Sequence, residues 1–457
     1  GLRPSTSSGA SALTQDKQFP QMPDHAYSTD PAVQTQLNRL TMLSPGRDVL
    51  GLERITALMD RLDNPHRALP PVFHVAGTNG KGSTCAFLRA ALEAAGKTVH
   101  VYSSPHLVRF NERIRVAGKL IDDDALAPLL AEVLDCSEDI HPSFFEATTA
   151  AAFLAFARTR ADAAVIEVGL GGRLDATNVI ERPAVCGIAQ LGIDHEAFLL
   201  DPENGPALLP LERIAYEKAG IAKSGVPLVT MAYTKAMAAR IAESAAAAGA
   251  TCHPKGGDWD AAPYQGKLHY RDETGKISLP LPTMQGDHQA MNAALAIAMI
   301  RHQTALDVPE AALKAGVGWA HWPARLQRLA PGPFAGNREV WLDGGHNEAA
   351  GATIAQFIGT RGKPLHLITG MLANKDARGL LSHFKGLATR FTAVPVPGHP
   401  CHPPEDLAAI ARDLGMESDT APDIEAAVAK SDAPVTLFLV SLYLAGSVLS
   451  ANDQLPD

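Results

Sequence analysis

Between residues 70 and 230, short apolar runs alternate with longer stretches whose apolar positions recur at helical spacing. The runs 72–76, 99–102, 164–168, 185–189 and 227–231 predict strands. The stretches 84–95, 124–134, 145–158 and 211–219 predict helices. Strands separated by helices predict a doubly wound, mostly parallel sheet, with ligands gathered at the carboxyl ends of its strands. The pattern changes over 251–283, where Tyr264, Leu268, Tyr270, Ile277 and Leu279 flank the turn signal Asp272-Glu273-Thr274-Gly275. That predicts a small β excursion. A helix is expected at 290–304. The Pro/Gly-rich segment 320–338 reads as a linker. Strand-like runs at 340–342, 365–369, 391–394 and 435–440 then restore α/β alternation. The expected organisation is a disordered tail at 1–40, a central α/β domain at 41–325 and a smaller, Rossmann-like α/β domain at 326–457.

The first strand leads into His74-Val75-Ala76-Gly77-Thr78-Asn79-Gly80-Lys81-Gly82-Ser83-Thr84. Strand, glycine loop and helix in that order make a P-loop-type phosphate cradle. Glycines admit backbone N–H groups to the anion, the helix N-terminus adds its dipole, and Lys81 adds full charge. The alternative is an ordinary βα turn. The strict pattern needs glycine at 75 and a hydroxyl residue at 82; Val75 and Gly82 stand there, so the loop is a variant.

Several other strand ends carry chemistry. Glu167 closes an apolar run and precedes Gly169-Leu170-Gly171-Gly172-Arg173-Leu174-Asp175. A carboxylate in so apolar a context needs a partner, and Mg2+ or an arginine would serve. Ser104 follows the second strand; its hydroxyl could ligate a metal. His195 follows the fourth, as a ligand, a base or a structural residue. Lys218 closes a helix, where a capping cation is the ordinary reading. In the C-terminal half, Asp343 and His346 mark another ligand-competent strand end, so a cleft between two domains is expected.

Composition narrows the class. The 457 residues carry 40 basic and 49 acidic side chains, a net charge of −9, which argues against nucleic acid as the main partner. Five scattered cysteines without C-x-x-C spacing suggest reduced thiols in the cytoplasm. No apolar run reaches the ~18 residues of a membrane helix, and no membrane partner is expected. Residues 1–21 are polar and begin without methionine, so a tail or cloning remnant is expected there, with Met22 a candidate start.

The ordered pieces HVAGTNGKGST, YSSPHLVRFNERIRV, EVGLGGRLDATNV, DH, YEKAGI, GDHQAMNAA, WPARLQ, LDGGHN, GMLANKD and SLYLAG span about residues 48 to 449. Together they resemble the folylpolyglutamate synthase/dihydrofolate synthase family, a branch of the Mur-ligase-like ATP-dependent amide ligases. The resemblance implies that ATP meets Thr78, Asn79, Gly80, Lys81, Gly82, Ser83, Asn292, Arg325 and Asp343. It implies metal ligands at Ser104, Glu167, His195 and Lys218, the last as a carbamate, for two Mg2+ ions. Folate-side contacts would come from Val49, Leu50, Gly51, Ser143, Phe144, Phe145, Glu146, Leu174, Asp175 and Ala176. Lys81, Lys218 and His346 would serve catalysis, and Ser441 is a candidate for the glutamate site. The implied partners are ATP, L-glutamate and dihydropteroate or reduced folates, acting on a monomer. Departures are Gly345 and Glu348 in the LDGGHN segment, and a longer stretch at 199–210. Rival readings are a muramyl-peptide ligase, for which too little chain precedes the glycine loop, and a nucleotide-dependent switch. Asn374-Lys375-Asp376 superficially matches the guanine-reading N-K-x-D of such switches, but residue 377 is alanine. A non-catalytic protein that kept the fold is a third rival, opposed by Lys81, Glu167, His195 and Lys218.

Overall fold

A computed structural model describes residues 26–43 and 50–457. The central domain is built on eight strands: β1 (Val72–Ala76), β2 (Val99–Tyr102), β3 (Ile114–Val116), β4 (Lys119–Leu120), β5 (Ala163–Glu167), β6 (Val185–Ile188), β7 (Pro227–Thr230) and β8 (Thr251–Pro254). Their order is β4-β3-β2-β5-β1-β6-β7-β8. The run from β2 through β5, β1, β6 and β7 to β8 is parallel, and at the other edge β3 pairs antiparallel with both β2 and β4. β1 lies at the switch point, with β5 on one side and β6 on the other. A crevice for a ligand opens there, beyond the carboxyl ends of the strands.

The β excursion is a three-stranded antiparallel sheet of β9 (Trp259–Tyr264), β10 (Lys267–Asp272) and β11 (Gly275–Pro280). Its buried face (Trp259, Leu268, Tyr270, Ile277, Leu279) alternates with exposed neighbours and joins the main core. Residues 251–254, expected within it, form β8 of the main sheet instead. The C-terminal sheet contains β12 (Gln327–Arg328), β13 (Glu339–Asp343), β14 (Leu365–Gly370), β15 (Ala388–Ala393), β16 (Glu417–Thr420) and β17 (Val435–Val440), in the order β12-β13-β17-β14-β15-β16. All neighbours are parallel except β12–β13. No helix among the described residues is long and apolar enough to cross a membrane.

Two further expectations change. Part of the segment assigned to a disordered tail is a helix, Pro31–Met42. Asp30 caps it by accepting from the Val33 amide at 2.9 Å, and Pro31 occupies the first turn. Val33, Leu37 and Leu40, spaced to share one face, are buried in a core cluster. Burying each contributes about 1.5–3 kcal/mol. Residues 1–25 lie outside the described residues. The Pro/Gly-rich segment is also more than a linker. Ala324, Leu329, Phe334 and Ala335 are buried in the C-terminal core, and β12 pairs with β13.

The two domains meet closely. On the C-terminal helix Leu442–Ala451, Gly446 lies against the backbone carbonyl of Leu107, leaving no room for a Cβ. Nearby, the Arg109 guanidinium donates to the Pro456 carbonyl at 3.1 Å.

Candidate active site

The loop after β1 is shaped for close approach. Gly77 (φ 149°) and Gly80 (φ 83°) hold backbone angles that side chains disfavour. A Cβ at Gly77 would lie 2.9 Å from that of Ala189, and one at Gly80 would strike the Asn292 amide. The helix Lys81–Ala94 starts at once, three residues earlier than its apolar pattern suggests. Its unsatisfied N–H groups therefore begin at the loop itself. Lys81 Nζ donates to the Gly77 carbonyl at 3.0 Å, folding back over the loop. The amides of Thr78 and Asn79 donate to Gln190 O at 2.9 and 3.1 Å, and Thr78 Oγ1 donates to Gly192 O at 2.8 Å. The loop is thereby tied to the chain leaving β6.

The variant spelling has a steric cause. A Cβ on Gly82 would lie 2.7 Å from the Trp322 indole, which packs on the main core as the chain crosses to the second domain. Gly82→Ser, which restores the strict pattern, is therefore expected to destabilise the protein by about 1–3 kcal/mol through overpacking. Denaturant midpoints check this; adding Trp322→Leu should recover part of the loss, and an unshifted midpoint for the single variant overturns the account.

Five strand ends of the central sheet (β1, β2, β5, β6 and β7) and three of the C-terminal sheet (β13, β14 and β17) surround a cavity of about 1630 Å3 between the domains. Of the residues singled out in the sequence, Leu50, Gly51, Thr78, Asn79, Gly80, Lys81, Ser83 and Ser104 line it. So do Ser143, Phe144, Phe145, Glu146, Glu167, Leu174, Asp175, Ala176 and His195. Asn292, Arg325, Asp343, His346 and Ser441 complete the wall. Gly82 is turned to Trp322, Lys218 is not among the lining residues, and Val49 lies outside the described residues.

Each group has a physical setting. Glu167 ends β5 and accepts from the Ser104 amide at 3.2 Å. Burial raises its carboxyl above the ordinary value, against the opposing charge of Lys81. His195, at φ 53°, stands 40% exposed at the turn after β6. Lys218 is buried near the end of the helix Pro210–Ala219 and makes no side-chain hydrogen bond among the described residues. Burial, and then the charge of Lys81, pushes its amine down to about 7. Its neighbour Glu217 is held by Arg173 at 3.0 Å and Arg213 at 2.8 Å. The same two arginines pin the longer 199–210 stretch through the carbonyls of Asp201, Asn204 and Pro206. Asp201, Glu203 and Asn204 of that stretch face the cavity.

In the second domain, Asp343 ends β13 and accepts from the amides of Leu326 at 2.7 Å and Gly345 at 2.6 Å. Burial raises its carboxyl, opposed by Arg325. Arg325 is flanked by Ala324 (φ 53°) and Leu326 (φ 41°), two non-glycine residues in the left-handed region. Such backbone persists only where surrounding contacts over-determine it, here around an arginine aimed at the cavity. Ser143 and Glu146 form a reciprocal capping box for the helix Phe144–Arg158, and Arg54 grips Glu146 with two bonds of 2.9 Å. Their first duty is to fix the helix start that presents Phe144 and Phe145.

Sequence reasoning missed the bridges across the cleft. Asp194 accepts from Lys375 Nζ at 2.5 Å and meets His346 Nε2 at 3.0 Å, both from the other domain. Burial pushes the Asp194 carboxyl up, but His346, His195 and Lys375 together hold it well below the usual carboxylate range. The amides of Asn79 and Asn347 also exchange bonds of 3.2 and 3.1 Å. The signal for Asp194 was present, next to His195, but its partners lie 152 and 181 residues away.

No family model matches the chain. The dihydrofolate synthase/folylpolyglutamate synthase of Escherichia coli strain K12 is 36% identical over 356 residues, 76% of this chain and 78% of that protein. The chain belongs to the folylpolyglutamate synthase/dihydrofolate synthase family. Solved structures agree in fold. The Escherichia coli FolC complex with DHPP and ADP has a TM-score of 0.82 at 31% identity, covering 95% of this chain and 99% of that one. A bifunctional folylpolyglutamate synthase/dihydrofolate synthase with Mn, AMPPNP and L-glutamate bound has a TM-score of 0.80 at 29% identity, covering 94% and 99%.

Proposed function

We propose that the chain is an ATP-dependent, amide-forming ligase that joins L-glutamate to dihydropteroate and to the glutamyl tail of tetrahydrofolate. The observation that carries the reading is a single inter-domain cavity bordered by the phosphate loop, the Ser104–Glu167 pair and the Phe144–Phe145 and Leu174–Ala176 segments. An adenine nucleotide bound to FolC, and L-glutamate bound to a bifunctional relative, support the same ligands here.

A carboxylate resists attack by an amine until it is activated. Transfer of the ATP γ-phosphoryl to the acceptor carboxylate gives an acyl phosphate and ADP. The glutamate α-amine then attacks the acyl carbon, phosphate leaves, and the ammonium proton is lost to give the amide. Lys81 would leave the Gly77 carbonyl and offset charge on the transferring phosphoryl group, while the loop amides hold the phosphates in line. Arg325, beside the buried Asp343, and Asn292, against Gly80, would fix the nucleotide from the other side. The Asp194 bridges to His346 and Lys375 would hold the second domain over the acyl phosphate and keep water out.

A metal fits the donors. Among the described residues no cluster of three His, Cys, Asp or Glu side chains forms a closed metal cage. Glu167 and Ser104 instead offer hard oxygens and His195 a nitrogen at an open cavity. That suits Mg2+, which keeps water and substrate phosphates as ligands. When bound, two Mg2+ ions would neutralise phosphate charge. Lys218 would carry a carbamate: its neutral amine adds CO2 with loss of one proton, turning a buried cation into an oxygen donor.

The test is turnover of purified protein with ATP, Mg2+, glutamate and either acceptor. Amide product from both acceptors is expected. Product from tetrahydrofolate alone would make the enzyme a monofunctional folylpolyglutamate synthase, and acceptor-independent ADP release alone would defeat the reading.

A further inference from the structure

His74 is an odd residue for the middle of β1. It pairs in register with Ile166 of β5 and Cys186 of β6 and is fully buried. A polar ring there costs desolvation unless it has a partner. Its Nε2 lies 2.8 Å from Thr177 Oγ1. Thr177 Oγ1 lies 2.5 Å from Asp175 Oδ2, and the Thr177 amide donates to the same oxygen at 3.1 Å. The other carboxylate oxygen accepts from the Leu170 amide at 2.8 Å. His74 Nδ1 has no partner among the described residues.

These contacts fix a direction. The Thr177 hydroxyl gives its hydrogen to the carboxylate, so its lone pair takes the hydrogen on His74 Nε2. Nδ1 is then a bare lone pair. Burial keeps the ring neutral, with its pKa pushed down to about 3. The result is a buried chain from imidazole N–H to hydroxyl to carboxylate, in which each donor strengthens the next. Capping the short helix Ala176–Val179 needs only the Asp175 carboxylate and the Thr177 amide. It gives no reason for a histidine in the central strand. The far end of the chain does, because Asp175 borders the cavity beside Leu174 and Ala176.

We propose that His74 is a positioning residue for acceptor recognition: through Thr177 it fixes the Asp175 carboxylate as a pure acceptor facing the N–H edge of a 2-amino-pyrimidinone ring. This rests on the reading that Asp175 meets the pterin side of the substrate. A carboxylate whose plane is set by buried donors accepts from that edge without first reorganising. A carboxylate free to rotate loses orientation, and acceptor affinity falls while the nucleotide end is untouched.

The experiment measures KM for dihydropteroate, KM for ATP and kcat in Thr177→Val, His74→Leu, His74→Gln and Asp175→Ala. Thr177→Val is close to isosteric, so it serves even if His74→Leu fails to fold. Thr177→Val and His74→Leu should raise the acceptor KM about tenfold, with ATP KM and kcat within about twofold, the pattern of lost uniform binding. His74→Gln keeps an N–H donor and should recover most of the loss. An unchanged acceptor KM in Thr177→Val overturns the proposal, as does an equal rise in ATP KM, which marks general damage. An unchanged acceptor KM in Asp175→Ala would sink the underlying reading of Asp175. A large rise there with none in Thr177→Val would sink the relay alone.

Discussion

Lys218→Ala is expected to lose about 10³-fold in kcat, the order seen when a preorganised charge is removed from a reacting centre, while the protein stays folded. The side chain is buried, and no described residue hydrogen-bonds it. In the uncarbamylated protein burial and the charge of Lys81 both disfavour its ammonium form, so removing it relieves a cost. The thermal midpoint should therefore not fall. If a carbamate supplies the missing oxygens, added formate or acetate should restore part of the activity. Full activity in the alanine variant would remove the carbamate from the mechanism, and a large drop in thermal midpoint would show a structural role instead.

Lys81→Ala should cost about 10²–10³-fold in kcat/KM for ATP, again by loss of one charge aimed at the transferring group. Its bond to Gly77 O is a single partly buried contact, so the stability change should stay near ~1 kcal/mol. Lys81→Arg is expected to rescue little. The loop is closed by Ala189 behind Gly77 and by Asn292 over Gly80, and a planar fork does not replace a compact ammonium there. Calorimetric titration with ATP and steady-state rates check both variants; an alanine variant with parental kcat/KM would mean that Lys81 only ties its own loop.

Much of this was legible in the chain. Apolar period marked β1, β2, β5, β6 and β7 to within a residue or two, because each is buried on both faces. Of the residues lining the cavity, Lys81, Ser104, Glu167, His195, Asp343 and His346 stood out as strand ends and lone polar groups against apolar runs, whereas Leu50, Gly51, the 143–146 segment and Asn292 came only from the family resemblance. β12 and β16 were not: both are short, and their burial patterns are only intermediate or exposed. The helix at 31–42 was hidden by its polar composition, since three buried side chains carry its packing. Asp194, Lys375, Trp322 and Thr177 acquire meaning only from partners far away in sequence. No local period reports such contacts.

At Gly446 two backbones touch. Its neighbour is the Leu107 carbonyl, three residues beyond Ser104, and it sits five residues beyond Ser441. No side chain lies between to bend or shift. Nothing about the reaction selects the residue at 446; the space alone does. Tolerance to substitution here is set by the thickness of the domain seam, and an inert methylene would be as unwelcome there as a lost charge is at Lys81.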